Sequence, residues 1–281
     1  MSETSPTRIT VPLPQKPIQH LLLDLDGTLI HSGNFLLNFE FIARILPMLK
    51  HFRGWKVALR TLKEMQDVVK TPSKEKTNQE RVIEIFQNNF GISREEAEKH
   101  LLKSIQTVFP QLESHFGKIL GAADFVEWAK DHYTLTLATN PMWTAEFVHM
   151  RMRWGGINPD FFRSITTADR MHACKPLPEY YRELMEQEKF DASASLLIGN
   201  ERRMDLPAVQ TGLAVYLIRP ATTRLTCIQE PGGTVHFKNH REIKNGGSTL
   251  ISPGAWRGNY AHLKEFLMMM MSSSSGTNQN P

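Results

Sequence analysis

The sequence predicts an α/β protein whose parallel sheet is interrupted early by a helical insert, and three observations carry that prediction. Short apolar runs recur at residues 18–26, 133–138, 195–199 and 213–218, as buried parallel strands do. Helix-length stretches separate these runs after residue 121, giving an alternation of strand and helix. Between residues 32 and 117 the alternation stops, and apolar residues recur at helical spacing instead.

Residues 1–17 mix Ser, Thr and Pro with Arg8 and Lys16 and hold no apolar run of signal-peptide length, so a flexible leader is expected. The run IQHLLLDLD stops abruptly at Gly27-Thr28, as a strand does on delivering its carboxyl end to a loop. In the insert, Phe35, Phe39, Ile42, Leu46 and Leu49 keep helical spacing, and residues 81–90 and 94–108 repeat it. Ser93 followed by Arg94-Glu95-Glu96 is a capping-box pattern, in which hydroxyl and carboxylate satisfy backbone donors, so a helix is expected to start there. Beyond Gly121 the prediction reads a helix through Trp128, a strand at 133–138, helices through Val148 and over 178–188, and a strand at 195–199. A helix-length segment through Val209 and a strand at 213–218 follow. After Arg219 turns dominate, at 231–233, 245–247 and 252–254, before a closing helix from Tyr260 to about Met270 and a disordered end. No internal repeat is evident.

With 281 residues, 41% hydrophobic and 22% charged, the chain has the composition of an ordinary globular protein and room for a sizeable core. A disulfide-stapled miniprotein is excluded, a disordered chain loses ground, and the apolar runs fall far short of the roughly 18–20 residues of a spanning helix. A net charge of +4 permits anionic partners without demanding them. Zinc-finger spacing, an aromatic RNA-binding signature and a long basic tail are all missing from the sequence, so no nucleic-acid partner is expected, and no membrane partner. Cys174 and Cys227 have no paired spacing, which points to a reducing compartment, by default the cytoplasm.

Asp24 and Asp26 stand two apart at the end of the first strand, where a regular strand points both carboxylates into one crevice. Gly27 allows a sharp turn and Thr28 can tie the loop through its hydroxyl. Taken alone the pair reads equally well as two solvated strand-end carboxylates.

Asp24-Leu25-Asp26-Gly27-Thr28-Leu29 behind an apolar strand resembles the first motif of the haloacid dehalogenase-like (HAD) hydrolase superfamily. Three later segments resemble its other motifs in order: Thr139-Asn140 the second, Lys175-Pro176 the third, and Gly199-Asn200 through Asp205 the fourth. The resemblance covers residues 18–218, puts the helical block where that family inserts a cap, and stops at Arg219. It implies a Rossmann-like parallel sheet core with an inserted α-helical cap domain. By the same resemblance Asp24 attacks phosphorus, and Asp26 protonates the leaving oxygen and then takes a proton from water. Thr139 and Asn140 then bind phosphoryl oxygens, and Lys175 adds positive charge. That division of labour suits phosphate transfer, which needs a nucleophile, charge neutralisation and a proton source.

Mg²⁺ is the implied metal, with Asp24, the Asp26 carbonyl, Asp205 and Asn200 as candidate ligands, because a hard cation on oxygen can bridge carboxylate and phosphate. Asn200 stands where many relatives carry Asp, which removes one negative charge. Glu201 restores it or Asn200 acts through an ordered water, and a weakened but retained Mg²⁺ dependence is expected. Asp26 argues against halide displacement and phosphonate cleavage, neither of which needs an acid two residues after the nucleophile.

Weaker signals are read more plainly. Arg53, Lys56, Arg60 and Lys63 would form a basic helix stripe, which recruits an anion or, more often, is a solvated face. His172 and Cys174 suggest zinc or a thiol nucleophile only faintly, since no second ligand pair or orienting group accompanies them. His31, Ser32 and Asn34 at the insert's entry either touch substrate or cap a helix, and Trp143 and Trp154 read as packing residues.

The expected organisation is a leader at 1–17, a core at 18–31 and 118–267, a cap at 32–117 and a disordered tail at 268–281. The expected activity is Mg²⁺-dependent hydrolysis of a small phosphorylated metabolite through an aspartyl-phosphate. A phosphomutase on the same core, or a non-catalytic binding protein retaining the fold, are the alternatives. Substrate identity and oligomeric state are not legible.

Overall fold

A computed structural model describes residues 13–14, 16–32, 40–47, 54–232, 234–237 and 248–275. Strand β1 (His20–Leu23) is buried throughout, and the chain turns after it into β2 (Ile30–Ser32). The insert follows as α1 (40–47), α2 (Trp55–Lys70), α3 (Asn78–Phe90) and α4 (Arg94–Val108). Ser93 and Glu96 form the expected capping box on α4, and Thr77 with Glu80 makes a second one on α3. The chain returns through β3 (Phe116–Lys118), α5 (Ala122–Ala129), β4 (Thr134–Leu137), α6 (Ala145–Trp154) and β5 (Ser164–Ile165). It continues with α7 (Pro178–Glu188), β6 (Ser195–Gly199), β7 (Ala214–Ile218) and β8 (Thr226–Gln229). Strands β9 (Thr234–Phe237), β10 (Ser248–Ile251) and β11 (Ala255–Gly258) precede the closing helix α8 (Tyr260–Ser275).

Among the described residues one seven-stranded sheet runs β5-β4-β1-β6-β7-β11-β8, parallel except for β8. Side-chain alternation sorts the apolar runs between two cores. Leu21, Leu23, Leu135, Leu137, Ile198 and Tyr216 face α5, α6 and α8. Leu22, Leu197, Val215 and Leu217 face Tyr180, Tyr181 and Leu184 of α7. The insert has its own core, built from Ala58, Val68, Val82, Phe86, Phe90 and Ala97.

Several expectations need correction. The segment through Val209 is not an α-helix but a 3-10 turn over Leu206–Thr211, with a proline in its first turn and Gly212 in a left-handed conformation ending it. Beyond Arg219 the chain is not merely turns: β11 pairs with β7 and β8 pairs with β11, extending the main sheet. The expected disordered tail from 268 is helical to Ser275, because Leu263, Phe266, Leu267 and Met270 continue one buried stripe that carries the serines along. The two ends of the helical block pair as an antiparallel ribbon, β2 with β3, so residues 32 and 116–117 are strand. Of the leader, Leu13 packs on the core and Lys16 pairs with Asp191, while residues 1–12 lie outside the described residues.

Candidate active site

Strand β1 lies inside the sheet, third from the β5 edge, with β4 and β6 beside it and the connections leaving in opposite directions. A crevice forms at such a reversal, outside the carboxyl ends of the strands. The register pairs Leu23 with Leu137 and Ile198, so Asp24, Thr139 and Asn200 follow three neighbouring strand ends into that crevice.

Lys175 ties these ends together. Its side chain is 2% exposed, and its Nζ donates to Asp24 Oδ1 over 2.9 Å and to Asp205 Oδ1 over 2.8 Å. Burial alone would push the ammonium's pKa down, but the carboxylates of Asp205 and Asp24 outweigh it and hold the pKa well above its ordinary value. Burial pushes Asp24 up to about 6 against the pull of Lys175, with Asp205 and Asp26 adding to the rise. The Asp24 carboxyl therefore ionises above the ordinary carboxylate range.

Asp24 Oδ2 accepts from Thr28 Oγ1 at 3.1 Å, and the same hydroxyl lies 3.3 Å from Asn200 Oδ1. Two oxygens thus converge on one hydroxyl. Gly27 has φ of +77°, and a side chain there would place its Cβ 2.2 Å from Asn200 Nδ2, so glycine serves both the turn and the close approach. Asp205 Oδ2 accepts from the backbone N–H of Asn200 at 3.0 Å and of Glu201 at 2.9 Å. Asp205 thereby clasps the fourth-motif loop and Lys175 at once.

Thr139 is buried, and its carbonyl accepts from Tyr180 Oη at 3.0 Å and Thr166 Oγ1 at 2.7 Å. Asn140 Oδ1 accepts from the Lys175 backbone N–H at 3.2 Å. The insert reaches the same loops through fully buried Asn78, whose Nδ2 lies 3.2 Å from Pro141 O and 3.4 Å from Ala173 O.

Asp26 lies beyond strand β1, which ends at Leu23, and its carboxylate pairs with Arg151 at 2.7 Å. Arg151 was missed because in sequence it is one of two arginines on an amphipathic helix, and only the tertiary fold brings it to Asp26. Tyr180, Asn78 and the C-terminal Tyr260, whose hydroxyl donates to Thr28 O at 2.7 Å, were hidden for the same reason.

The minor signals resolve as packing and solvation. Lys56, Arg60 and Lys63 are exposed, with Arg60 near Glu64, and Arg53 lies outside the described residues. His172 Nδ1 lies 2.7 Å from Glu183, and burial pushes the Cys174 thiol up to about 12, far from a nucleophilic thiolate. Trp143 packs edge-on to Phe41 and Phe109, and Trp154 lies against Phe116. His31 and Ser32 belong to the β2–β3 ribbon, and Asn34 lies outside the described residues.

Asp24 Oδ2 and the amide oxygen of Asn200 converge on the Thr28 hydroxyl, two oxygens that could hold Mg²⁺. That all-oxygen pair fits the ion, which commonly takes one or two carboxylates and keeps several waters. Glu201 is exposed and Asp205 already faces three N–H donors. Among the described residues no group of three or more His, Cys, Asp or Glu gathers into a ready-made metal cage.

A sequence model described as haloacid dehalogenase-like hydrolase matches residues 21–217. Among solved structures, a 2-haloacid dehalogenase from Pseudomonas syringae pv. tomato DC3000 aligns over 90% of this chain and 99% of its own, at 18% identity and TM-score 0.54. A HAD-hydrolase from Bacillus subtilis, solved bound to magnesium, aligns over 74% and 90% at 18% identity and TM-score 0.43. A predicted phosphoglycolate phosphatase from Haemophilus somnus 129PT aligns over 72% and 85% at 17% identity and TM-score 0.44. A search among curated proteins finds no match. At such identities the likeness is one of fold.

Proposed function

The chain belongs to the haloacid dehalogenase-like hydrolase family, and we propose that it hydrolyses a small phosphate monoester through an aspartyl-phosphate on Asp24. The observation that carries this reading is the buried Asp24–Lys175–Asp205 chain of ion pairs, with a second carboxylate, Asp26, two residues from the nucleophile.

One oxygen of Asp24 attacks phosphorus while the ester oxygen departs with a proton from Asp26, leaving an alcohol and the aspartyl-phosphate. Asp26 then takes a proton from water as the water oxygen attacks phosphorus, and the bond to Asp24 breaks to release inorganic phosphate. Lys175 offsets charge on Asp24 and on the transferring group, and the Thr139 hydroxyl with the Asn140 backbone N–H donates to phosphoryl oxygens. Mg²⁺ held by Asp24, Asn200 and the Asp26 carbonyl, with Asp205 behind them, would supply further charge neutralisation on those oxygens. The helical insert at 32–117 acts as the cap that excludes water and selects the alcohol portion of the substrate. Asp26 favours phosphate esters over halides, which need no proton donor to leave.

The reading extends to a small phosphorylated metabolite as substrate and to the cytoplasm as location, for which the free thiols Cys174 and Cys227 speak. No helix among the described residues is long and apolar enough to cross a membrane. The deciding experiment is Mg²⁺-dependent phosphate release from a panel of phosphate monoesters by wild type and Asp24→Asn. Turnover by wild type alone, abolished by a chelator, is expected. Isomerised ester in place of phosphate would make the protein a mutase, and silence of wild type across the panel would move weight to the mutase and the binding protein.

A further inference from the structure

Arg151 is a buried cation that the proposed reaction leaves unused. It lies in the last turn of α6 with 6% of its side chain exposed, and its Nη1 donates to Asp26 Oδ2 over 2.7 Å. An arginine facing a carboxylate commonly forms two parallel bonds. Here one forms, and Arg151 Nε, Arg151 Nη2 and Asp26 Oδ1 are all buried without a partner. Buried polar atoms left unpaired are unfavourable and therefore uncommon. A single bond to Oδ2 restrains the rotation of the Asp26 carboxyl, whose side chain is 38% exposed although Oδ1 is buried, so its accessible edge is the one that carries Oδ2.

The helix that delivers Arg151 is itself firmly seated. Val148 and Met152 are buried in the core beneath the sheet, and the Phe147 ring lies 5.1 Å from that of Phe109. At its end Gly155 lies flush on β2, where an added Cβ would fall 2.0 Å from Ile30 Cγ2. Asp26 and Ile30 bridge across the first-motif turn, so α6 and that turn are packed as one unit.

Resting on the reading of Asp26 as proton donor and acceptor, we infer that Arg151 is the positioning residue for that carboxyl. It fixes the carboxyl through Oδ2, on the accessible edge of the side chain. As the bond from Asp24 to phosphorus forms and the phosphorus–ester bond breaks, the proton on the Asp26 carboxyl passes to the leaving oxygen. In the second half the Asp26 carboxylate takes a proton from the attacking water. Arg151 acts only through Asp26.

The test compares two esters. An alkyl phosphate needs its leaving oxygen protonated, whereas p-nitrophenyl phosphate expels an acidic phenol that leaves with little help. Since positioned acid catalysis is worth about 10²–10⁴-fold, Arg151→Met is expected to lose kcat on the alkyl ester at least about tenfold more than on the aryl ester. Arg151→Lys is expected to recover part of that difference. In an Asp26→Asn background, adding Arg151→Met should cost nothing further on the alkyl ester, which also covers the case in which Arg151→Met alone fails to fold around an unpaired carboxylate. Equal proportional losses on both esters, no loss, or additive losses in the double variant would each overturn the proposal and leave the phosphatase intact. Wild type inactive on both esters would overturn the phosphatase reading and this proposal with it.

Discussion

Asp24 is held between two opposing effects, and burial prevails: its carboxyl ionises at about 6 although Lys175 lies 2.9 Å away. The sign follows for activity and stability alike. A nucleophile must be ionised, so kcat/KM is expected to fall about tenfold per pH unit below that midpoint, and a profile flat down to pH 5 would contradict the burial argument. Raising Mg²⁺ should lower the midpoint, because a cation beside Asp24 favours its charged form. Folding responds oppositely: the group's contribution is full below its ordinary value of 3.8 and is lost as pH rises through about 6, so the charged carboxylate opposes the fold. Asn200 offers the complementary test. Its Oδ1 shares the Thr28 hydroxyl with Asp24 Oδ2, and Asn200→Asp would add a negative charge there. Half-saturation of the thermal shift by Mg²⁺ is expected at a concentration on the order of tenfold lower than in wild type. An unchanged midpoint would remove Asn200 from the metal argument.

Elements differ in how openly the sequence announces them, and the reason is locality. The strands β1, β6 and β7 and the capping box at Ser93 are written in consecutive residues and so are legible, while Asp24, Lys175 and Asp205, singled out by resemblance, are brought together through Lys175. The β2–β3 ribbon joins three-residue strands across the whole insert, and β8 and β11 meet across the turn-rich stretch. Nothing within either partner strand signals its mate. Arg151 and Tyr260 are invisible for the same reason, since each acquires its meaning from a distant first-motif residue. Helix α8 illustrates the consequence: Tyr260 Oη donates to Thr28 O at 2.7 Å, and Thr28 in turn bonds Asp24. Tyr260→Phe leaves a buried carbonyl unpaired, for a loss of about 1–3 kcal/mol in chemical denaturation. If the contact steadies the first-motif turn, kcat should fall with KM little changed. A stability loss with unaltered kcat would confine Tyr260 to packing.

At the scale of the whole molecule, the match to the family ends at residue 217, yet the sheet does not end there. Strand β11 lies between β7 and β8, its Trp256 is wholly buried against Phe266, and Gly254 is required because a Cβ there would fall 2.1 Å from the Trp256 ring. Leu263, Phe266 and Leu267 of α8 are wholly buried too. Removing this region would expose β7, now a central strand, as a bare apolar edge of the kind that aggregates. A chain ended at Arg219 is therefore expected not to fold cooperatively, with or without Mg²⁺, as followed by circular dichroism and thermal unfolding. Trp256→Ala tests the same argument more gently, since a buried tryptophan truncated to alanine loses about 3–5 kcal/mol, roughly 10 °C in Tm for a protein of this size. A soluble, cooperatively melting and active fragment ending at Arg219 would instead make the last strands and α8 an appendage. Their contact with Thr28 would then need another explanation than support of the site.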